Sequence, residues 1–238
     1  MLLNPHDLIH QPERLEEIER TSLRLVVQAL YDYRFNAEQI FRIESDLVAD
    51  IGEDITREAI DKMGLPRIDR QLFGKIDYKR ACYLFHPDYA IKQALFVDSK
   101  AEKVSGQGTA TLQISQISMT VRQIRSGRIV MEQGCLPFVA TLDHEAYITT
   151  TIFVKYNYIA IADAPNRLNS ITVAAVPNGM LQATYNPHEN DTIFVAGRNA
   201  PTLGEEFRVR LSFARLKDKA RWRVQMIPMA PHPFVWDG

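Results

Sequence analysis

Hydrophobic positions recur at a helical period near the start of the chain and at a strand period after it. Over residues 13–34, Leu15, Ile18, Ser22, Leu25, Val26, Ala29, Leu30 and Tyr33 fall at helical spacing, with acids early and arginines later, which predicts an amphipathic helix. A second helix is predicted to start at Asp54 as N-cap, to run through Ile55, Ala59, Ile60 and Met63, and to stop at Gly64 with Pro66 beyond. From Gly74 onward the period shifts towards two. Residues 74–85 and 92–100 read as strands joined at His86-Pro87-Asp88, which predicts a hairpin. Further strands are predicted at 128–132, 148–161, 170–176 and 207–214, and a helix over 111–124. Loops are expected at Ala164-Pro165-Asn166, Pro177-Asn178-Gly179 and Asn186-Pro187-His188. No Pro/Ser-rich linker, low-complexity tract or internal repeat divides the chain. The expected fold is therefore α/β (α+β), a single domain over 1–238 with a central mixed β-sheet flanked by helices. Its helical part covers about 1–66 and its sheet about 67–225.

Composition narrows the class. At 238 residues, 46% of them apolar and 24% charged, the chain can bury a core without staples and is neither disordered nor fibrous. The most apolar stretch, 148–164, is interrupted by Lys155, Asn157 and Asp163 and falls short of the roughly 20 apolar residues a membrane helix needs. No membrane association is expected. The first residues have no basic segment before their acids and do not read as a signal peptide, so a cytoplasmic location is expected. Cys82 and Cys135 lack CxxC or CxxH spacing, which suits a reducing compartment and argues against a zinc site.

The net charge of −1 hides a segregation: residues 1–66 hold fourteen acids against seven bases, and residues 196–224 hold eight bases against three acids. The sharpest local pattern is Ala94-Leu95-Phe96-Val97-Asp98-Ser99-Lys100, an apolar run ending in an acid and a lysine two residues apart. In a strand those two side chains share a face, where an unpaired charge is costly, so they need each other or a ligand. A hairpin turning near Pro87 can bring the Asp77 carboxylate beside Asp98. Two carboxylates repel unless a cation lies between them, and oxygen donors without histidine favour Mg²⁺. Mg²⁺ with a lysine alongside is the equipment of phosphodiester hydrolysis. The plainer reading of the same residues is a structural ion pair at a strand end.

Ile76-Asp77-Tyr78-Lys79-Arg80 followed by Val97-Asp98-Ser99-Lys100-Ala101 resembles the PD-(D/E)xK nuclease core, and more closely the SfiI type II restriction endonucleases. The resemblance extends from roughly residue 15 to 225. It takes in Glu53-Asp54-Ile55-Thr56, Thr111-Leu112-Gln113-Ile114-Ser115-Gln116, Thr150-Thr151-Ile152-Phe153-Val154, Tyr185-Asn186-Pro187 and Arg208-Val209-Arg210-Leu211-Ser212-Phe213. It implies that Asp77 and Asp98 bind the metal, that the Ser99 carbonyl is a further ligand and that Lys100 is the catalytic lysine. It also implies Mg²⁺-dependent cutting of both strands of double-stranded DNA at a short palindromic or interrupted palindromic site, leaving 5′-phosphate and 3′-hydroxyl ends. The implied assembly is a homodimer or homotetramer, with a cognate DNA methyltransferase as genetic partner only. The loop over 101–110 and the C-terminal region depart from the SfiI pattern.

Strict alternation over 207–213 places Phe207, Val209, Leu211 and Phe213 on a core face and Arg208, Arg210 and Ser212 on the other. Two arginines on one strand face suit guanine in the major groove; the alternative is a charged edge strand that resists aggregation. Arg198 resembles a basic DNA-reading residue of the family, and Lys103, Gln107, Gln113 and Gln116 are further DNA-contact candidates beside a solvated-face reading. Arg122, Arg125 and Arg128 fit phosphate contacts. Glu53 and Asp54 could approach the metal from a helix. The six histidines show neither HxH nor HxxxH spacing, and Ser99, Ser105 and Cys135 lack a nucleophile-elbow context. Competing functions are a PD-(D/E)xK repair or junction-resolving nuclease, a catalytically silent DNA-binding protein, and a carboxylate-pair glycosidase, which would leave Lys100 unexplained.

Overall fold

The computed structural model describes residues 3–43, 48–64, 81–86, 90–106, 108–161, 164–196 and 208–238. Asp77, Gln107 and Arg198, together with most of the predicted strand over 74–85, lie outside these described residues. The helices are α1 (Pro12–Ile43), α2 (Val48–Asp61), α3 (Gln182–Tyr185) and α4 (Phe213–Lys219). The strands of the first half are β1 (Ala81–His86), β2 (Ile91–Lys103), β3 (Thr109–Gln113), β4 (Thr120–Arg125), β5 (Arg128–Gln133) and β6 (Val139–Leu142). Those of the second half are β7 (Glu145–Ile161), β8 (Ala164–Val176), β9 (Phe194–Val195), β10 (Arg208–Ser212) and β11 (Val224–Pro228).

The main sheet runs β1-β2-β7-β8-β11, with β6 paired to the start of β7. Only β2 and β7 are parallel among its described pairs, which makes the sheet mixed, as expected. The predicted hairpin is present: β1 and β2 pair antiparallel, His86 opposite Ile91 and Ala81 opposite Phe96. A second sheet, β3-β10-β9, packs beneath the main one.

Alternation along the strands sorts the core onto two faces. On one face, Leu95 and Val97 of β2, Ile152, Val154 and Tyr156 of β7, and Ile171, Val173 and Ala175 of β8 pack against α1 and α2. On the other, Phe153, Ala174 and Val176 meet Ala110 and Leu112 of β3 and Val209 and Leu211 of β10, while Ala94 and Phe96 meet Leu136, Ala140 and Leu142.

The first helix is longer than the pattern predicts. It begins with Pro12, whose missing N–H costs nothing at a first helical position, and continues past Arg34 to bury Ala37 and Phe41. Four predicted elements are corrected. Asp54 is not an N-cap but lies within α2, where it pairs with Arg57; the helix ends at Asp61, short of the predicted Met63, and a turn leads to Gly64, which has a positive φ of 69°. The predicted helix over 111–124 is two strands around a 3₁₀ turn at Ile114–Gln116, because Ala110 and Leu112 find apolar partners across β10. Ala164-Pro165-Asn166 opens β8 instead of forming a loop. The strand over 207–214 stops at Ser212, whose hydroxyl accepts from the Arg215 N–H and caps α4.

Away from the predicted site, a charge network pins α1 to the sheet. Arg223 and Glu19 are both fully buried and paired at 2.7 Å; Glu16 lies 3.4 Å from the same guanidinium, which stacks over Tyr185 and Trp222. The Asn178 N–H donates to the second Glu19 oxygen at 2.8 Å. Truncating one member of such a pair strands the other charge in the core. Arg223→Ala is expected to lower the unfolding free energy by about 3–5 kcal/mol, and a Glu19→Leu/Arg223→Met double replacement by less, as read from urea unfolding.

Candidate active site

Parity along β2 decides where its charged end points. Leu95, Val97, Ser99 and Ala101 face the helices, so Asp98, Lys100 and Glu102 face the side on which β3 lies. The Ser99 hydroxyl donates to the Gly52 carbonyl of α2 at 3.1 Å. A Cβ at position 52 would come within 3.0 Å of the Tyr156 ring and 3.3 Å of the Ala101 nitrogen, so glycine there lets α2 approach β2. That approach brings Glu53 into electrostatic range of Asp98.

Asp98 is the most perturbed group of the site. Burial pushes its carboxyl above the usual range and Glu53 adds to this, while Lys100, the Gln116 amide and the Ser99 backbone N–H act in the opposite direction. Its Oδ2 is buried without a hydrogen-bond partner among the described residues. Lys100 donates to the Thr111 carbonyl of β3 at 2.8 Å, and its ammonium lies 5.9 Å from the centre of the Phe153 ring. Among the described residues, no three His, Cys, Asp or Glu side chains converge on one point. The described part of the site therefore contributes one buried carboxylate with an open oxygen, a second acid nearby and a lysine.

The predicted base-reading strand stands next to it. Antiparallel pairing sets Arg208 opposite Gln113 and Arg210 opposite Thr111, so Arg208, Arg210 and Gln113 share one half-buried face while Val209 and Leu211 fill the core. Lys103 is exposed at the end of β2. Ser212 departs from the predicted pattern: it is buried as the cap of α4. Arg122 donates to the Pro187 carbonyl, which ties it to a loop.

Two residues carry more of the geometry than the sequence disclosed. Gln116, a DNA-contact candidate by sequence, is buried; its side-chain oxygen accepts from the Gln113 N–H at 2.8 Å while its amide supports Asp98. Lys155 is fully buried beside Lys100 and holds Glu102 at 2.6 Å. The signal for Lys155 was its charge inside the most apolar stretch of the chain, since a buried ammonium requires partners. No pattern pointed to Gln116, because its role depends on the 3₁₀ turn that replaces the expected helix.

The chain matches the family model described as type II restriction enzyme SfiI over residues 26–227. It is 36% identical over 227 residues to the type II restriction enzyme SfiI of Streptomyces fimbriatus, covering 90% of this chain and 84% of that one. The crystal structure of tetrameric SfiI bound to cognate DNA superposes with a TM-score of 0.78 at 32% identity, covering 93% of this chain and 87% of SfiI. BglI bound to its DNA recognition sequence gives a TM-score of 0.77, with 95% and 94% of the two chains covered. Its 17% identity makes it a likeness of fold. No described helix is long and apolar enough to cross a membrane. With the family model spanning most of the sequence and the same architecture found in a solved member, the chain belongs to the SfiI family of type II restriction enzymes and is a DNA hydrolase.

Proposed function

We propose that this restriction endonuclease cuts both strands of double-stranded DNA at a short palindromic or interrupted palindromic site, in a Mg²⁺-dependent reaction that leaves 5′-phosphate and 3′-hydroxyl ends. The observation that carries the reading is the juxtaposition of the unpartnered Asp98 Oδ2 and Lys100 on one face of β2, next to a strand bearing two arginines. A buried carboxylate oxygen with a second acid in range fits a hard divalent cation. Asp98 would hold it together with Asp77 and the Ser99 carbonyl. Glu53, which faces Asp98 electrostatically, is better placed to assist than Asp54, which is engaged with Arg57. When bound, Mg²⁺ supplies Lewis-acid polarisation of the phosphate and activation of water. Lys100 presents its ammonium towards the phosphate, offsets charge developing on the non-bridging oxygens and orients the attacking water. Asp98, buried and fixed by its neighbours, keeps its open oxygen aimed at one point.

Base reading is assigned to Arg208 and Arg210, with Gln113 on the same face and Lys103, Gln107 and Arg198 as further contacts. Val209 and Leu211 anchor the strand, so its arginines have little freedom left to lose on binding. A palindrome has a dyad, and one site per chain calls for at least two chains related by it, so a homodimer or a homotetramer is the working unit. The solved relative SfiI is a tetramer. Packing of the catalytic and base-reading elements against one main sheet supports a single domain over 1–238. As a restriction enzyme without a described membrane-crossing helix, the protein is assigned to the cytoplasm, with a DNA methyltransferase as its genetic partner.

Digestion of a sequenced plasmid tests the whole reading. Discrete fragments whose mapped ends share one short symmetric sequence are expected with Mg²⁺, none with EDTA, and binding without turnover with Ca²⁺, whose looser geometry activates water poorly. Random fragmentation, or full activity in EDTA, would count against it. Asp98→Ala and Lys100→Ala should each lower single-turnover cleavage by on the order of 10²–10³-fold or more, while Asp98→Ala still binds cognate duplex. Cleavage by Asp98→Ala within roughly tenfold of wild type would remove it from the site. Arg208→Ala and Arg210→Ala should each cost about 1–3 kcal/mol of binding to the cognate duplex and leave random duplex nearly unaffected. Equal losses on both duplexes at two salt concentrations would reassign the strand to phosphate contacts.

A further inference from the structure

Lys155 lies in the middle of β7, fully buried, where an apolar residue of similar volume would be at least as stable. Parallel pairing sets it directly beside Lys100. Its ammonium is held by the Glu102 carboxylate at 2.6 Å and donates to the Thr109 carbonyl at 2.6 Å. Lys100 in turn donates to the Thr111 carbonyl at 2.8 Å. Thr109 and Thr111 are alternate residues of β3, so their carbonyls leave the strand on one edge. Two neighbouring lysines, one on β2 and one on β7, therefore fasten the same edge of β3 to the main sheet. Across β3 stands β10, with Arg210 opposite Thr111 and Arg208 opposite Gln113.

We infer that Lys155 is a positioning residue for cleavage: by holding the Thr109 carbonyl it fixes β3, and through β3 the paired base-reading strand, relative to Lys100 and Asp98. The inference rests on the roles proposed above for Lys100, Arg208 and Arg210. Lys155 is too deep to touch a phosphate, so it acts through β3. Glu102, about one-third exposed, neutralises it and can turn to water when the lysine is removed. Loss of the ammonium therefore frees the start of β3 without stranding a carboxylate in the core. A displacement of about 1 Å between reading and reacting groups is enough to cost on the order of 10²-fold in rate.

The test compares Lys155→Met, Glu102→Gln and Lys100→Met with wild type in thermal melting, in Ca²⁺-supported binding to cognate and one-base-altered duplexes, and in single-turnover cleavage with Mg²⁺. Lys155→Met is expected to melt near wild type, to cleave cognate DNA roughly 10–100-fold more slowly, and to lose about tenfold of its preference for the cognate duplex. Glu102→Gln should move rate and preference in the same direction by less. Rate and preference within about twofold of wild type in a folded Lys155→Met overturn the inference. If that variant does not fold, Glu102→Gln decides by the same criterion. Wild-type cleavage by Lys100→Met would instead overturn the site reading itself, whereas an inactive Lys100→Met beside a wild-type-like Lys155→Met removes only the role of Lys155.

Discussion

A strand whose apolar run is followed at once by charged residues cannot be buried in a sheet without something to receive the charges, and β2 is such a strand. Its apolar stretch, Ala94 to Val97, is closed on both faces by core side chains. Its last part sends Asp98, Lys100 and Glu102 to one face, where the low dielectric makes each unpaired charge expensive. Lys100 goes to the Thr111 carbonyl, Glu102 to Lys155, and one oxygen of Asp98 to no described partner. The same burial that penalises the ionised carboxylate would make a cation at that oxygen more favourable.

Parallel pairing of β2 with β7 has a second consequence. Parallel neighbours need a long crossover, and here the crossover carries β3, the β4-β5 pair and β6. The strand of Asp98 and Lys100 thus leads into β3, the partner of β10 with its two arginines, through one short 3₁₀ turn. The proposed chemistry and the proposed reading would thus be joined through the Thr109 and Thr111 carbonyls of β3, which accept from Lys155 and Lys100. The Gln116 side chain adds a second tie from β3 to Asp98.

The two-residue period of β2, the helical period of α1 and the pairing of β1 with β2 were legible because each depends on contacts within the element or with its neighbour in sequence. The pairing of Asp98 with Lys100 on one face was legible for the same reason. What stayed hidden depends on partners distant in sequence. Residues 111–124 carry apolar positions that fit either period; β10, almost a hundred residues later, selects the strand for 111–113, while 120–125 pair with the neighbouring β5. Asp54 has the chemistry of a cap, yet α2 begins at Val48, where packing against β2 through Gly52 extends it. Gln116 looks like a polar surface residue until the turn at 114–116 folds it under Asp98.

Net charge along the chain was a weaker guide to the DNA-binding face than the excess over 196–224 suggests. Of its eight cations, Lys217 and Arg221 pair with Asp237, Lys219 pairs with Asp191, and Arg223 is buried on Glu19 and Glu16. Arg215 donates to the Thr192 and Phe194 carbonyls. Most of the local excess is thus paired within the chain, at the surface for Arg221 and Lys217 and in the core for Arg223. Arg208 and Arg210 differ in standing on one strand face adjacent to the catalytic strand's partner. A field built from so few side chains attracts a polyanion only moderately, while their fixed spacing favours paired donors on a base edge. On the roles proposed for these residues, discrimination is a matter of where two arginines are held, and the stiffness of β3 between them and Lys100 would set how well a correct site is converted into a cut.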